Sequence, residues 1–122
     1  MYKVKFSVLE SICIAARQSY PNEFIALLGG NVFEGIIEEL VVLPSNTGED
    51  FATLRFDLLP LDRSVFGSVH SHPGYGNRPS RGDIGTFSKI GKIHAIVCIP
   101  FNIENIKFYD CDGKEEKFEI MA

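Results

Sequence analysis

Val65-Phe66-Gly67-Ser68-Val69-His70-Ser71-His72-Pro73 runs on into Gly74-Tyr75-Gly76-Asn77-Arg78-Pro79 and then Ser80-Arg81-Gly82-Asp83. The opening residues are β-branched and aromatic, which predicts a strand. Alternate side chains of a strand share a face, so His70 and His72 point one way and Ser71 the other. Pro73 has no N–H for a central ladder, and the strand should stop there. The glycine-rich loop lets the chain turn, so that Asp83 can return with a hard-oxygen ligand. Two imidazoles and one carboxylate suit zinc. The fourth tetrahedral position is then left for water, which separates a catalytic site from a closed structural one. Such an ion lowers the pKa of the water it holds to about 7. Ser80 and Asp83 also spell a helix N-cap with a carboxylate at the third helical position, and the two readings are compatible. A lone H-x-H is often a surface or core feature. The weight here comes from its conjunction with Pro73, Pro79, Ser80, Asp83 and an upstream glutamate.

Written as H-x-H-P-x6-S-x2-D, the stretch resembles the JAMM motif of the MPN-plus (Mov34/PAD-1-like) metalloproteases. The resemblance covers nearly the whole chain. It implies that His70, His72 and Asp83 bind one zinc ion and that Ser80 helps to stabilise the tetrahedral intermediate. It also implies that a glutamate at the start of an upstream strand takes the proton from the water. That glutamate is Glu23, in Tyr20-Pro21-Asn22-Glu23-Phe24-Ile25-Ala26-Leu27-Leu28. Seen alone, Glu23 would read as a solvated strand end. The downstream motif turns the reading toward a general base. Glu34, Glu38 and Glu39 lie in more polar surroundings, and Glu10 is assigned to a helix cap.

The chain has 122 residues, 45% hydrophobic and 23% charged, which fits one globular domain spanning 1–122. A net charge of −4 with no basic stripe argues against nucleic acid as the main partner. Apolar runs are far too short for a membrane span. Met1-Tyr2-Lys3-Val4-Lys5 does not resemble a signal peptide, so the cytoplasm is the expected location. Three cysteines exclude a full disulfide framework. Cys13 and Cys98 read as buried small hydrophobes, and Cys111 sits in a turn.

Ser7-Val8-Leu9-Glu10 reads as a capping box, with a helix to about Ser19 and an apolar stripe of Leu9, Ile12, Cys13 and Ala16. Phe24 to Leu28 is continuously apolar, as in a strand covered on both faces. Ile36 to Leu43 and Phe51 to Asp57 are further strands, with Leu58-Leu59-Pro60-Leu61 an apolar connector and a candidate substrate lip. Ile84, Phe87 and Ile90 space a short helix that Gly91 ends. His94 to Ile99 is a buried strand, and His94 is read as structural. Ile103 to Tyr109 and Lys117 to Ile120 are two more strands, joined through Asp112-Gly113. This count predicts an α/β (α+β) domain with a mixed, curled sheet flanked by a few helices. The resemblance implies the same, an MPN (JAB1-like, cytidine-deaminase-like) fold.

The expected function is that of a zinc isopeptidase. It would cleave after the C-terminal Gly-Gly of a ubiquitin-like or sulfur-carrier protein. Larger deubiquitinating members carry a late insertion that shapes the second ubiquitin's groove, and between Ile99-Pro100 and Asn105-Ile106 there is no room for one. Two other readings are a non-catalytic MPN scaffold, which should lack metal residues, and a RadC-like DNA-repair-associated protein, against which the acidic charge counts.

Overall fold

The computed structural model describes residues 1–41, 65–87 and 91–122. Among the described residues eight strands form one sheet: β1 (Tyr2–Lys5), β2 (Ile25–Asn31), β3 (Ile36–Val41), β4 (Val65–Ser71), β5 (Ile93–Val97), β6 (Ile106–Tyr109), β7 (Glu115–Glu116) and β8 (Phe118–Met121). Helix α1 (Phe6–Ser19) follows β1, and α2 (Arg81–Phe87) joins β4 to β5. The strand order is β7-β6-β5-β4-β2-β3-β1-β8. β1 runs parallel to β3 and β8, and β4 parallel to β5; the other neighbours are antiparallel. β7 and β8 sit at opposite ends of this order, yet only Lys117 separates them in sequence. The sheet must therefore curl until its edges approach. Phe108 on β6 and Phe118 on β8 meet across that approach with ring centroids 4.6 Å apart. The curled mixed sheet expected from the element count is borne out.

The burial pattern explains which faces are covered. β4 and β5 are buried almost throughout, as a parallel pair flanked by helices should be. One face carries Ala26, Leu28, Val69, Ala95 and Val97, packed with the α1 residues Val8, Leu9, Ile12, Cys13 and Ala16. Phe87 of α2 packs with Ile96 and Tyr109 in a separate apolar cluster. The α1 stripe is as read from its periodicity, with Val8 added.

Several boundaries needed correction. The capping box at Ser7 does not form. β1, a strand the sequence pattern does not announce, runs directly into α1, so the cap position is Lys5 and makes no side-chain bond. Ser7 then lies inside the first turn, where its carbonyl accepts from the Ser11 hydroxyl at 2.8 Å. Ile103–Asn105 is a 3₁₀ turn, and the strand begins only at Ile106. The turn near Asp112-Gly113 pairs β6 with Glu115–Glu116, while Phe118–Met121 crosses to β1. The strand expected over Phe51–Asp57, the Leu58–Leu61 lip and Ile90 lie outside the described residues.

His94 is structural, as its surroundings show. It is fully buried beside Ser68, whose backbone N–H meets Nδ1 at 3.3 Å and whose hydroxyl lies 2.8 Å from the same nitrogen. The Phe87 ring stacks on it at 4.2 Å and 3°. Burial pushes its pKa down to about 4, helped by the nearby His70 and opposed by the Gly91 and Phe87 carbonyls. The unfolded chain, with an ordinary histidine pKa of 6.5, binds this proton first as pH falls. Stability from this group is therefore complete above about pH 6.5 and is lost between there and about pH 4. A shift of that size corresponds to about 3 kcal/mol. Urea unfolding of the metal-free protein at pH 7 and pH 4.5 should show this loss. In His94→Gln the pH dependence over the same window should shrink by that amount; an unchanged slope would exclude His94 as its source.

Candidate metal centre

β4 ends at the site. His70 is fully buried at its penultimate position, and His72 follows its last residue. The His72 N–H donates to the Val97 carbonyl of β5 at 2.9 Å, which holds the chain against that strand. The two Nε2 atoms lie 3.0 Å apart. Asp83 of α2 places Oδ1 3.3 Å from His70 Nε2 and Oδ2 3.2 Å from His72 Nε2. His70, His72 and Asp83 are the group, among the described residues, whose ligand atoms converge closely enough to hold a metal. A tetrahedral ion bound at ~2.0–2.1 Å by nitrogen and carboxylate oxygen spaces its ligand atoms ~3.3 Å apart. The two nitrogens at 3.0 Å, each with one Asp83 oxygen at 3.2–3.3 Å, are close enough to share one ion. The side chains of His72 and Asp83 are 19% and 13% exposed, so the group is reached from solvent on their side.

The three side chains set one another's electrostatics, and a metal would have to displace the proton that His72 favours in the metal-free protein. Burial pushes the His70 pKa down, against the Asp83 hydrogen bond and charge, and so favours the neutral imidazole that binds metal. The His72 pKa is raised, chiefly by its hydrogen bond to Asp83 and against burial, with the Gly76 carbonyl and the charges of Asp83 and Glu23 adding to it. Burial alone would raise the Asp83 pKa. Hydrogen bonds from both imidazoles and from the Ser80 N–H outweigh it and hold the carboxyl well below the usual range. Asp83 therefore presents a carboxylate.

The groups behind the ligands fix their orientation. His72 Nδ1–H donates to the Gly76 carbonyl at 3.0 Å, so Nε2, which faces Asp83 in the metal-free protein, is the nitrogen a metal would take. The Gly76 peptide is braced from β6, where the Tyr109 hydroxyl donates to the Asn77 carbonyl at 2.6 Å. Asn77 Nδ2 donates to the Asn105 carbonyl at 3.0 Å, and the Ile99 N–H to Gly74 at 2.8 Å. Ser80 caps α2 as its pattern suggested: its Oγ accepts the Asp83 N–H at 3.1 Å, and Asp83 Oδ2 accepts the Ser80 N–H at 2.8 Å. This reciprocal cap turns the Asp83 carboxylate toward the histidines. The turn after β6 packs on the same helix. A Cβ at Gly113, where φ is +84°, would lie 2.8 Å from Ile84 Cδ1.

Prokaryotic homologs of the JAB domain form a family whose pattern matches residues 6–112 of this sequence. The chain belongs to the prokaryotic JAB family. A JAB1/MPN domain protein from Archaeoglobus fulgidus, solved by crystallography, is 37% identical and superposes with a TM-score of 0.82 over 98% of this chain and 99% of that one. A second solved structure, described as JAMM, a metalloprotease-like zinc site in the proteasome and signalosome, is 34% identical. Its TM-score is 0.80, over 100% of this chain and 99% of that one. A probable metalloprotease of Haloferax volcanii is 28% identical over 116 residues, 88% of this chain and 71% of that protein. The JAMM resemblance and the MPN fold are thereby borne out, and the JAB domain described here is metalloprotease-like.

Of the residues singled out from the sequence, the JAB domain brings His70, His72, Asp83 and Ser80 together. Glu23 precedes β2, the antiparallel neighbour of β4, in a register that sets Ile25 opposite His70. It is half-buried, and its charge acts on His72. The Gly76 carbonyl, Asn77, Asn105 and Tyr109 escaped sequence reasoning. A polar tip on an otherwise apolar strand residue, Tyr109, was the available signal, and nothing in the pattern named its partner.

Proposed function

We propose that this domain is a zinc-dependent isopeptidase. It cleaves after the C-terminal Gly-Gly of a ubiquitin-like or sulfur-carrier protein and releases an amine. The observation that carries the proposal is the convergence of His70, His72 and Asp83 on one point, close enough to hold a metal ion. A bound Zn2+ would supply Lewis acidity and a water acidic enough to ionise near neutral pH. The residues of the chain do the rest. Glu23 accepts the proton of the attacking water and delivers it to the leaving amine. Ser80 accepts the Asp83 N–H and keeps its own hydroxyl proton for the oxyanion that develops on the scissile carbonyl. His72, Gly76 and Asp83 hold the ligand geometry. The complete ligand set favours an enzyme over a scaffold, and the net charge of −4 favours a protein substrate over DNA. Free thiols at Cys13, Cys98 and Cys111 accord with a reducing cytoplasm. No helix among the described residues is long and apolar enough to cross a membrane.

Gly-Gly suits a narrow approach to buried ligands, because glycine lets the backbone come close. Hydrolysis should therefore fall steeply when the last Gly of a carrier becomes Ala or Val, and vary little when the leaving amine is changed. A substrate series that varies tail and amine separately checks this. Harmless tail changes with decisive amine changes would replace the carrier-tail proposal with an ordinary peptidase.

A further inference from the structure

Ser71 stands between the two histidine ligands and takes no part in the metal group. It is the last residue of β4, 1% exposed. The register of β2 on β4 sets Ile25 opposite His70, which places Phe24 opposite Ser71. Opposed residues of a hydrogen-bonded antiparallel pair exchange two backbone bonds. One of these is present: the Ser71 N–H donates to the Phe24 carbonyl at 2.9 Å. The Phe24 N–H, however, donates to Ser71 Oγ at 2.8 Å. A side-chain hydroxyl has taken the acceptor place of a main-chain carbonyl, at the point where the chain enters β2. Glu23 is the next residue back.

We propose that Ser71 is a positioning residue for Glu23: its hydroxyl, by holding the Phe24 N–H, sets where the chain enters β2 and so where the Glu23 carboxylate stands relative to the ligand strand. The proposal rests on the reading of Glu23 as the base. Phe24 is buried, 7% exposed, so its N–H needs an acceptor inside the protein. Without the hydroxyl the amide must either lose its bond or shift toward a regular ladder bond with the residue 71 carbonyl. Either change moves the peptide that carries Glu23. The hydroxyl thus links the strand that presents the ligands to the residue that handles the proton, on the face of the sheet away from the metal.

Ser71→Thr and Ser71→Val test this, because the two side chains share a shape and differ in the hydroxyl. Both are made in the full chain, with Ser71→Ala beside them. In the metal-free protein, the Phe24 amide should exchange with solvent at least tenfold faster in the Val variant than in the Thr variant, while Leu27, deeper in β2, keeps its protection. The loaded proteins should hold equal zinc. With a Gly-Gly carrier conjugate, kcat of Ser71→Val should fall on the order of 10²-fold, the cost of a displacement near 1 Å. KM should stay level, and Ser71→Thr should restore the rate. Equal Phe24 protection in Thr and Val, or equal kcat, overturns the proposal. If the wild-type protein itself leaves the conjugate intact, the isopeptidase reading fails instead, and the exchange comparison still decides whether Ser71 places residue 23.

Discussion

Asp83→Asn is expected to lose the metal while keeping the helix that carries it. The substitution retains the side-chain oxygen that can accept the Ser80 N–H, now 2.8 Å from Asp83 Oδ2, so the reciprocal cap of α2 should survive. What it removes is the negative charge that faces His70 and His72 at 3.3 and 3.2 Å. Two neutral imidazoles and an amide are a poor set for a dication, since hard-oxygen anionic ligands supply much of the charge compensation. Loss of a partner behind a ligand typically lowers metal affinity 10–100-fold. Loss of the ligand's own charge should exceed that and bring the zinc content of the purified protein close to zero. Asp83→Ala should do the same and should also weaken α2, by about 1 kcal/mol if the cap is lost. Elemental analysis and competition with a chromogenic chelator read the first effect, and urea unfolding of the metal-free variants reads the second. The proposal of one zinc per chain collapses if carefully prepared wild-type protein neither contains zinc nor takes it up.

The second large effect is on rate alone. Glu23→Gln preserves size and hydrogen-bonding capacity and removes the basic oxygen. Removing a general base costs typically 10²–10⁴-fold, so turnover should collapse while zinc content stays at the wild-type level. Glu23 lies outside the ligand set, which is why the two measurements separate: Asp83→Asn loses metal and activity together, Glu23→Gln activity only. His72 offers a further readout. The Glu23 charge is one of the influences that raise its pKa, although smaller than the Asp83 hydrogen bond. In the metal-free protein the His72 imidazole should therefore titrate lower in Glu23→Gln than in the wild type, as followed by NMR. A fully active Glu23→Gln variant would falsify the assignment. Glu38 and Glu39 would be the next to test, although they lie on β3, which β2 separates from the ligand strand.

The residues of the site were legible in the sequence to the extent that their chemistry depends on local geometry. H-x-H on a β-branched run puts two imidazoles on one face through the twofold period of a strand, and no tertiary information is needed for that. Ser80 and Asp83 are three apart at the start of a helix, so their reciprocal cap is likewise a local fact. The same holds for the α1 stripe, a matter of 3.6-residue periodicity, and for β2, where the continuous apolar run from Phe24 to Leu28 announces cover on both faces.

Where local patterns competed with connectivity they failed. Ser7-Val8-Leu9-Glu10 has the composition of a capping box, but β1 feeds α1 without a loop and so moves the helix start to Phe6. Four residues of Tyr2–Lys5 give too short a pattern to declare a strand. They become one because β3 and β8 lie on either side to accept and donate their backbone bonds. The destination of Phe118–Met121, beside β1 rather than in a hairpin with β6, depends on closure of the whole sheet. Most of all, the partners behind the ligands were invisible. The Gly76 carbonyl, the Tyr109 hydroxyl and the Ser71–Phe24 bond join residues up to 47 apart, and a hydrogen bond leaves no periodicity in sequence. Composition and spacing determined which atoms of this chain can hold a metal. Only the tertiary structure decided what holds those atoms, because orientation is set by neighbours that meet when the sheet curls.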